Sequence, residues 1–368
     1  MKNMIFIIGG ARPNFMKISP LIKQFNEHDI KFKLIHTGQH YDYNMSKIFF
    51  DNLGIQKPDY FLNVGSGSHA TQTAKIMIEF EKVILSEKPK LVIVVGDVNS
   101  TIACALVAKK LSIEVAHIEA GLRSFDFKMP EEINRRLTDQ ISDYLFITEE
   151  SAKVNLNNEG IDPSKIFFVG NIMIDTLVSN LEQAKKNNYY KALNLKAGQY
   201  ALITIHRPSN VDTEEDLKRV IKYLNYVQSK IKIVFPIHPR SLKNLRKFNL
   251  ESDLRQPNTI ITEPLGYLEF LNLMMNSKFI LTDSGGIQEE ASHLKIPILT
   301  LRKNTERPIT IEKGTNTLIG NDFEKLKFHL EEILSNSYKK GESIEKWDGK
   351  TSQRIVSVLQ KRILSKNR

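Results

Sequence analysis

Phe279-Ile280-Leu281-Thr282-Asp283-Ser284-Gly285-Gly286-Ile287-Gln288-Glu289-Glu290-Ala291 is the stretch whose reading decides the fold. It opens as a short apolar strand, turns on a polar cluster with two glycines, and continues as a helix. That order is the half-unit of a parallel α/β sheet. It also leaves backbone N–H groups free at Ser284, Gly285 and Gly286, where the start of a helix can hold an anion. Two glycines remove Cβ atoms, which lets a phosphate approach the backbone. Glu289 and Glu290 follow one turn later, placed to meet sugar hydroxyls. A plain β–α turn with Ser284 as N-cap accounts for the same residues. The stretch alone leaves these two readings level.

Working outward, short apolar runs alternate with helical patterns through most of the chain. Runs at 4–8, 32–36, 91–95, 115–118 and 144–147 read as buried strands with amphipathic segments between them. A quieter interval follows Gly170, with a connecting helix over 172–183 and a Lys- and Asn-rich stretch over 184–198. The pattern then restarts, with strands at 200–205, 231–237, 259–262, 279–281 and 296–301. This is the signature of an α/β fold with two doubly wound parallel sheets. Two similar halves with a soft middle predict a cleft between domains, a common place for a ligand. Apolar spacing over 351–364 predicts a terminal helix.

Composition narrows the class. The 368 residues carry 52 Lys and Arg against 42 Asp and Glu, a formal charge of +10. These cations are dispersed, and neither a nucleic-acid motif nor aromatic–basic interleaving is present, so no nucleic-acid partner is expected. The single Cys104 excludes an intrachain disulfide and offers no metal-site spacing. No run approaches the ~20 apolar residues of a membrane span, and the first apolar run is short for a secretory signal. A cytoplasmic protein is expected.

The carboxyl ends of the expected strands collect the polar residues. Gly9-Gly10-Ala11-Arg12-Pro13-Asn14-Phe15-Met16-Lys17 lacks the GxGxxG of a dinucleotide site. Arg12 and Lys17 there flank a helix start, which disfavours cations unless an anion is near. Asp97 follows the strand at 91–95 and, taken alone, reads as a plain cap for a helix starting near Asn99. Glu119 ends an apolar strand, a costly place for a carboxylate. It is therefore either paired, with Arg123 as a nearby partner, or held for chemistry. Glu131 stands in the first turn of a helix opened by Pro130, which is good helix chemistry in itself. His206 and His238 close two strands of the second half, and Arg302-Lys303-Asn304-Thr305-Glu306-Arg307 places cations near the opening turn.

Taken together, GARPNFMK, TGQHYDYNMS, GDVNST, HIEAGLR, PEEINR, TIHRPSN, PIHP, LTDSGGIQEEA and TERP resemble the non-hydrolysing UDP-N-acetylglucosamine 2-epimerases. They occur in that family's order over about residues 5–320. The resemblance implies a GT-B-like pair of Rossmann-like domains facing a central cleft. It divides the chain into an N-terminal domain over 1–170 and a UDP-binding domain over 171–350, with the helix of about 351–368 returning to the first. It implies catalytic roles for Asp97, Glu119, Glu131 and His206. Substrate binding falls to Arg12 and Lys17 near the diphosphate, Phe270 beside the uracil, the Ser284, Gly285 and Gly286 turn, and Glu290 at the ribose. Interconversion of UDP-GlcNAc and UDP-ManNAc is implied for a cytoplasmic homodimer making polysaccharide precursors, with a UDP-sugar partner and neither metal nor cofactor.

Some positions depart from the commonest bacterial pattern. GARPN stands for GTRPE, HRPSN stands for HRRE, and the segment from Glu119 to Glu131 is about two residues shorter. These variants are closer to branches acting on modified sugars such as UDP-2,3-diacetamido-2,3-dideoxyglucuronate. A GT-B glycosyltransferase is the more distant alternative. Many bacterial members bind an activating second substrate through a Gln pair and an Arg. Here Gln39 is present, Asp42 takes the second polar position, and 65–69 holds no Arg.

Overall fold

The computed structural model describes residues 4–39, 54–254 and 256–364. The chain divides into two compact units, residues 1–178 with 345–368, and residues 179–344. Each is built on one sheet whose paired strands are all parallel.

In the first unit the strands are β1 (Ile5–Gly9), β2 (Phe32–His36), β3 (Tyr60–Phe61), β4 (Leu91–Val95), β5 (Glu114–Ala120), β6 (Tyr144–Ile147) and β7 (Ile166–Phe168). They lie in the order β3-β2-β1-β4-β5-β6-β7. Helices α1 (Arg12–Glu27), α2 (His69–Glu87), α3 (Asn99–Lys110), α4 (Pro130–Ile141) and α5 (Glu150–Asn158) fall between them, and α6 (Ile172–Asn187) begins in this unit and continues into the second. The central strands are continuous apolar runs because they are buried on both faces; Ile5, Phe6, Ile7 and Leu91 through Val94 are wholly inaccessible.

The second unit repeats the plan with β8 (Tyr200–Thr204), β9 (Lys232–Pro236), β10 (Thr259–Thr262), β11 (Phe279–Thr282), β12 (Ile298–Thr300) and β13 (Asn316–Leu318), in the order β10-β9-β8-β11-β12-β13. Its main helices are α7 (Glu214–Lys230), α8 (Pro239–Lys247), α9 (Tyr267–Asn276), α10 (Gly285–His293) and α11 (Phe323–Leu334). Leu217, Val220, Ile221 and Leu224 on α7 bury against Ile203, Ile233 and Phe235 of the sheet. Both units are thus Rossmann-like, and in each the winding reverses between a first and a fourth strand: β1 and β4, then β8 and β11. Ligands of open α/β sheets gather beyond the carboxyl ends of such strands. Short strands β3, β7 and β13 fall outside the sequence expectation, since two or three half-buried residues leave no periodicity to read.

The tail closes the first unit. Helix α12 (Thr351–Leu359) packs on α1 and buries Ile355, Val356 and Leu359. The carboxylate of Asp175, on α6, accepts hydrogen bonds from Thr351 N at 3.0 Å, Ser352 N at 2.7 Å and Ser352 Oγ at 2.7 Å. A side chain distant in sequence thereby caps the donors that open α12. Trp347 Nε1 donates to Thr148 O, and Arg354 to Val169 O, tying the same tail to the edge of the sheet. Among the described residues no helix is long and apolar enough to cross a membrane.

Asp175 is 5% exposed, so its loss strands three donors at once. Asp175→Ala is expected to lower the unfolding free energy of the first unit by about 2 kcal/mol. A urea titration followed by the Trp347 fluorescence, which reports the tail directly, checks this; an unchanged midpoint would deny the cap a stabilising role.

Candidate active site

At the carboxyl end of the first sheet, three acids expected from the sequence occupy three different local structures. Glu119 is the most unusual. It has φ of +73°, and the pairing of β5 with β6 skips it: Ile118 faces Phe146, and Ala120 faces Ile147. Glu119 is therefore the extra residue of a bulge in a left-handed conformation, which a side chain with a Cβ adopts at a cost of about 1 kcal/mol or more. The bulge aims its carboxylate at Lys17 Nζ, and both side chains are almost fully buried. The expected pairing of Glu119 with Arg123 is not what forms. Arg123 instead binds Asp139 at 2.7 Å and Glu159 at 2.6 Å, because the bulge directs Glu119 toward α1.

Asp97 is not a helix cap either. Val98 holds the N-cap position of α3 without a side-chain hydrogen bond, and Asp97 is bound by Arg135. Arg135, 1% exposed, also donates to Glu132 at 2.8 Å. Glu132 in turn accepts from Ser124 N at 2.8 Å and Ser124 Oγ at 2.9 Å, so one guanidinium ties Asp97 to the segment leading into α4. Glu131, in the first turn of α4, is half-buried and makes no side-chain hydrogen bond or ion pair among the described residues. Arg12 begins α1, but its side chain lies outside the described residues. The turn before it is held by Asn14, whose Oδ1 accepts from Gly10 N and Ala11 N and whose Nδ2 donates to Val95 O.

Gln39 is committed within this unit: its Oε1 accepts from Ser100 N at 3.2 Å and Ser100 Oγ at 2.7 Å. Asp42, the other position considered for an activator site, lies outside the described residues.

In the second unit the organising group is one that sequence reasoning passed over. Asp283, wholly buried, accepts from His206 N, Arg207 N and Asn210 Nδ2 at 2.8–3.1 Å, and stands 3.4 Å from His206 Nδ1. It joins the end of β8 to the start of the Ser284 turn. A charged residue in the turn after a buried strand was the available signal. His206 is one-third exposed and stacks on His238 at 5.2 Å. Burial, and then the nearby Arg207 and Arg240 cations, hold His206 below the ordinary histidine range against the opposing pull of Asp283. His238 is shifted the same way by burial, His206 and Arg240.

The two glycines of the opening stretch differ. A Cβ on Gly285 would lie 2.6 Å from Arg307 Nη1, so that glycine is required by a protein side chain. A Cβ on Gly286 would meet nothing within 4 Å, so the backbone there is open to a ligand. Ser284 sits at the N-cap of α10 without a side-chain cap bond, which leaves the plain-cap reading of Ser284 unsupported.

The two arginines expected around 302–307 are matched rather than spare, while Lys303 is exposed. Arg302 binds Glu306, and Arg307 binds Glu306 and Glu289, with Thr305 Oγ1 donating to Gln288 on α10 at 2.8 Å. Glu290, 3% exposed, accepts from Tyr267 Oη at 2.6 Å. Its carboxyl is pushed up to about 7, chiefly by burial, with Glu289 adding to the rise and the Tyr267 bond opposing it. Phe270 is half-buried on α9, one turn beyond Tyr267.

The geometry therefore offers a set of carboxylates over paired cations in one unit, and an open helix start with a tunable carboxyl in the other. Comparison with known proteins gives this a family. The family profile described as UDP-N-acetylglucosamine 2-epimerase matches residues 23–360. A UDP-N-acetylglucosamine 2-epimerase of Methanocaldococcus jannaschii is 50% identical over 359 residues, covering 96% of this chain and 98% of that one. A crystal structure of the Methanocaldococcus jannaschii enzyme, in complex with UDP-GlcNAc and UDP, has a TM-score of 0.90 at 49% identity, covering 97% and 99% of the two chains. The UDP-2,3-diacetamido-2,3-dideoxy-D-glucuronate 2-epimerase of Pseudomonas aeruginosa is 43% identical, covering 86% of this chain and 88% of that one. Full-length agreement in sequence and fold leaves one conclusion: the chain, with its two GT-B-like α/β units, belongs to the UDP-N-acetylglucosamine 2-epimerase family.

Proposed function

We propose that the protein is a non-hydrolysing UDP-N-acetylglucosamine 2-epimerase, interconverting UDP-GlcNAc and UDP-ManNAc by elimination of UDP and its re-addition. The observation that carries the chemistry is the acid set of the first unit. The C2 proton has no adjacent carbonyl, so its removal requires the C1–O bond to break and UDP to depart, leaving a 2-acetamidoglucal. Inversion then needs a proton delivered to the opposite face, hence at least two acid/base groups, each contributing about 10²–10⁴-fold. Lys17 pairs with Glu119 and Arg135 with Asp97, so both acids are held in fixed directions, and Glu131 is the third acid, with no side-chain hydrogen bond or ion pair among the described residues. The departing diphosphate is met by Arg12, Lys17, His206 and the turn of Ser284, Gly285 and Gly286, through the N–H groups of the two glycines, since Ser284 N already donates to Thr282 Oγ1 at 2.9 Å. Phe270 takes the uracil and Glu290 the ribose.

The reading extends to a cytoplasmic homodimer making precursors for a surface polysaccharide. Its support on the self-association side is the exposure of Ile78 and Leu85 on α2 and Ile133 and Leu137 on α4. The high identity to the Methanocaldococcus enzyme favours UDP-GlcNAc over the modified glucuronate.

Turnover of UDP-GlcNAc in D₂O should place deuterium at C2 of UDP-ManNAc, with UDP still attached. NMR of both recovered nucleotide sugars decides it. Deuterium-free product sinks the solvent-exchanging route, and free ManNAc with UDP moves the protein to hydrolytic chemistry. Exchange only in UDP-2,3-diacetamido-2,3-dideoxyglucuronate keeps the mechanism and changes the substrate.

Glu119→Gln should fold and bind UDP while turnover falls by roughly 10²-fold or more. Near-normal kcat in that variant removes Glu119 from the proton path.

Glu290 gives UDP binding a pH dependence of defined sign. In the free protein its folded value is raised, so its contribution to stability is full below the ordinary carboxyl range and is lost as pH rises through about 7. Ribose hydroxyls donate to the ionised form, so binding releases a proton near pH 6–7, and affinity rises by up to about tenfold from pH 6 to pH 8. Calorimetry in buffers of different ionisation enthalpy reads the released proton. Glu290→Gln should abolish that part of the release; identical release in both proteins rejects the ribose assignment.

A further inference from the structure

His117 lies on β5 two residues before Glu119, wholly buried, among strand neighbours Val115 and Ile118 that are aliphatic. Both ring nitrogens face acceptors. Nε2 is 2.7 Å from Gly96 O, and Nδ1 is 2.7 Å from Asp139 Oδ1 on α4. The second oxygen of Asp139 accepts from Gly121 N at 3.0 Å and contacts Arg123 at 2.7 Å. Arg123 is itself fixed by Glu159 and donates to Leu122 O at 2.7 Å. The chain therefore runs from the carbonyl immediately before Asp97, through one imidazole and one carboxylate, to the amide two residues after Glu119. A backbone bond from Gly96 N to Ile118 O, 3.0 Å, closes the loop. An imidazole in an aliphatic strand gains nothing over valine or isoleucine as packing. Its two polar contacts give it a purpose at this place.

We propose that His117, held by Asp139, is a positioning residue that fixes Asp97 and Glu119 relative to one another; this rests on the catalytic reading of those two acids. Asp97 follows a left-handed glycine, Gly96 at φ +71°, and Glu119 is itself left-handed at +73°, a conformation that its side chain disfavours. Catalysis that shuttles protons between carboxylates depends on their spacing, and a displacement of about 1 Å costs on the order of 10²-fold. The lateral cations Lys17 and Arg135 pair with the acids' side chains, whereas His117 sets the backbone they hang from.

Two substitutions divide the clamp between its ends. In His117→Gln the side-chain amide nitrogen takes the place of Nε2 and keeps the bond to Gly96 O, losing Asp139. In His117→Asn the amide nitrogen takes the place of Nδ1 and keeps Asp139, losing Gly96. The expected result is a kcat for UDP-GlcNAc lower by roughly 10²-fold in the Asn variant and retained several-fold better in the Gln variant, with the affinity for UDP unchanged in both. Amide exchange should quicken at 96–98 in the Asn variant and at 119–121 in the Gln variant, while Val92 to Val94 in β4 stays protected. Asp139→Asn serves as a second route to the 119–121 effect should His117→Gln fail to fold. Unchanged exchange at these segments, equal kcat in the Asn and Gln variants, or wild-type kcat in both overturns the proposal. If the unmodified protein turns over no UDP-GlcNAc, the epimerase reading falls by itself, and the exchange comparison still decides the clamp.

Discussion

Burying a carboxylate at the end of a parallel strand is the constraint from which the first unit follows. An unpaired charge there is expensive, and removing the partner of a buried pair typically costs about 3–5 kcal/mol. Glu119 is 4% exposed, so a cation must reach it. Lys17 does so from α1, the helix entered through the Asn14-braced turn after β1. That contact joins α1 to the bulge of β5, across a sheet in which β4 lies between β1 and β5. Asp97 is handled in the same manner by Arg135 from α4. The acids come from strand ends and their partners from helices, so the sheet and its covering layer must be correctly docked before the site exists.

The second unit uses the same topology with a different set of polar groups. There the buried acid in the turn after the switch-point strand, Asp283, accepts from His206 N and Arg207 N and so holds the end of β8 in place. Arg302 and Arg307 are likewise spoken for by Glu306 and Glu289. Under the proposed function, attraction for an anion rests on oriented backbone dipoles and on the open side of Gly286, more than on the two arginines. The dispersed net charge of +10 has no corresponding role at this turn.

Sequence made the alternation of strands and helices legible because buried parallel strands are unbroken apolar runs, such as 91–95, ending in polar residues at a defined edge. It placed Asp97, Glu119, His206 and Ser284 at those edges for the same reason. What it could not supply was direction. Glu119 and Arg123 are four apart, which suggests a partnership, yet a single inserted residue in β5 turns Glu119 toward Lys17, 102 positions away. Bulges leave no periodic trace in a seven-residue strand. His117 and Asp283 were in plain view inside quoted motifs, but their importance lies in partners at Asp139 and His206 that only the fold brings near. Glycines misled in one respect: Gly285 and Gly286 look equivalent in sequence, while Arg307 occupies the side of one and leaves the other open.

The distribution of strain carries the last step. Glycine would adopt the left-handed conformation at position 119 without cost, and Gly121 beside it does so at φ +77°. A glutamate held there instead means that the surrounding bonds over-determine the backbone, since the conformation is not one the residue seeks. Those bonds can be named: the Lys17 ion pair above, and the Gly96, His117, Asp139 and Gly121 path below. Stability spent on an unfavourable torsion at a carboxylate makes sense where the direction of that carboxylate has to be invariant. An acid that only balanced Lys17 would do so equally well from a relaxed strand.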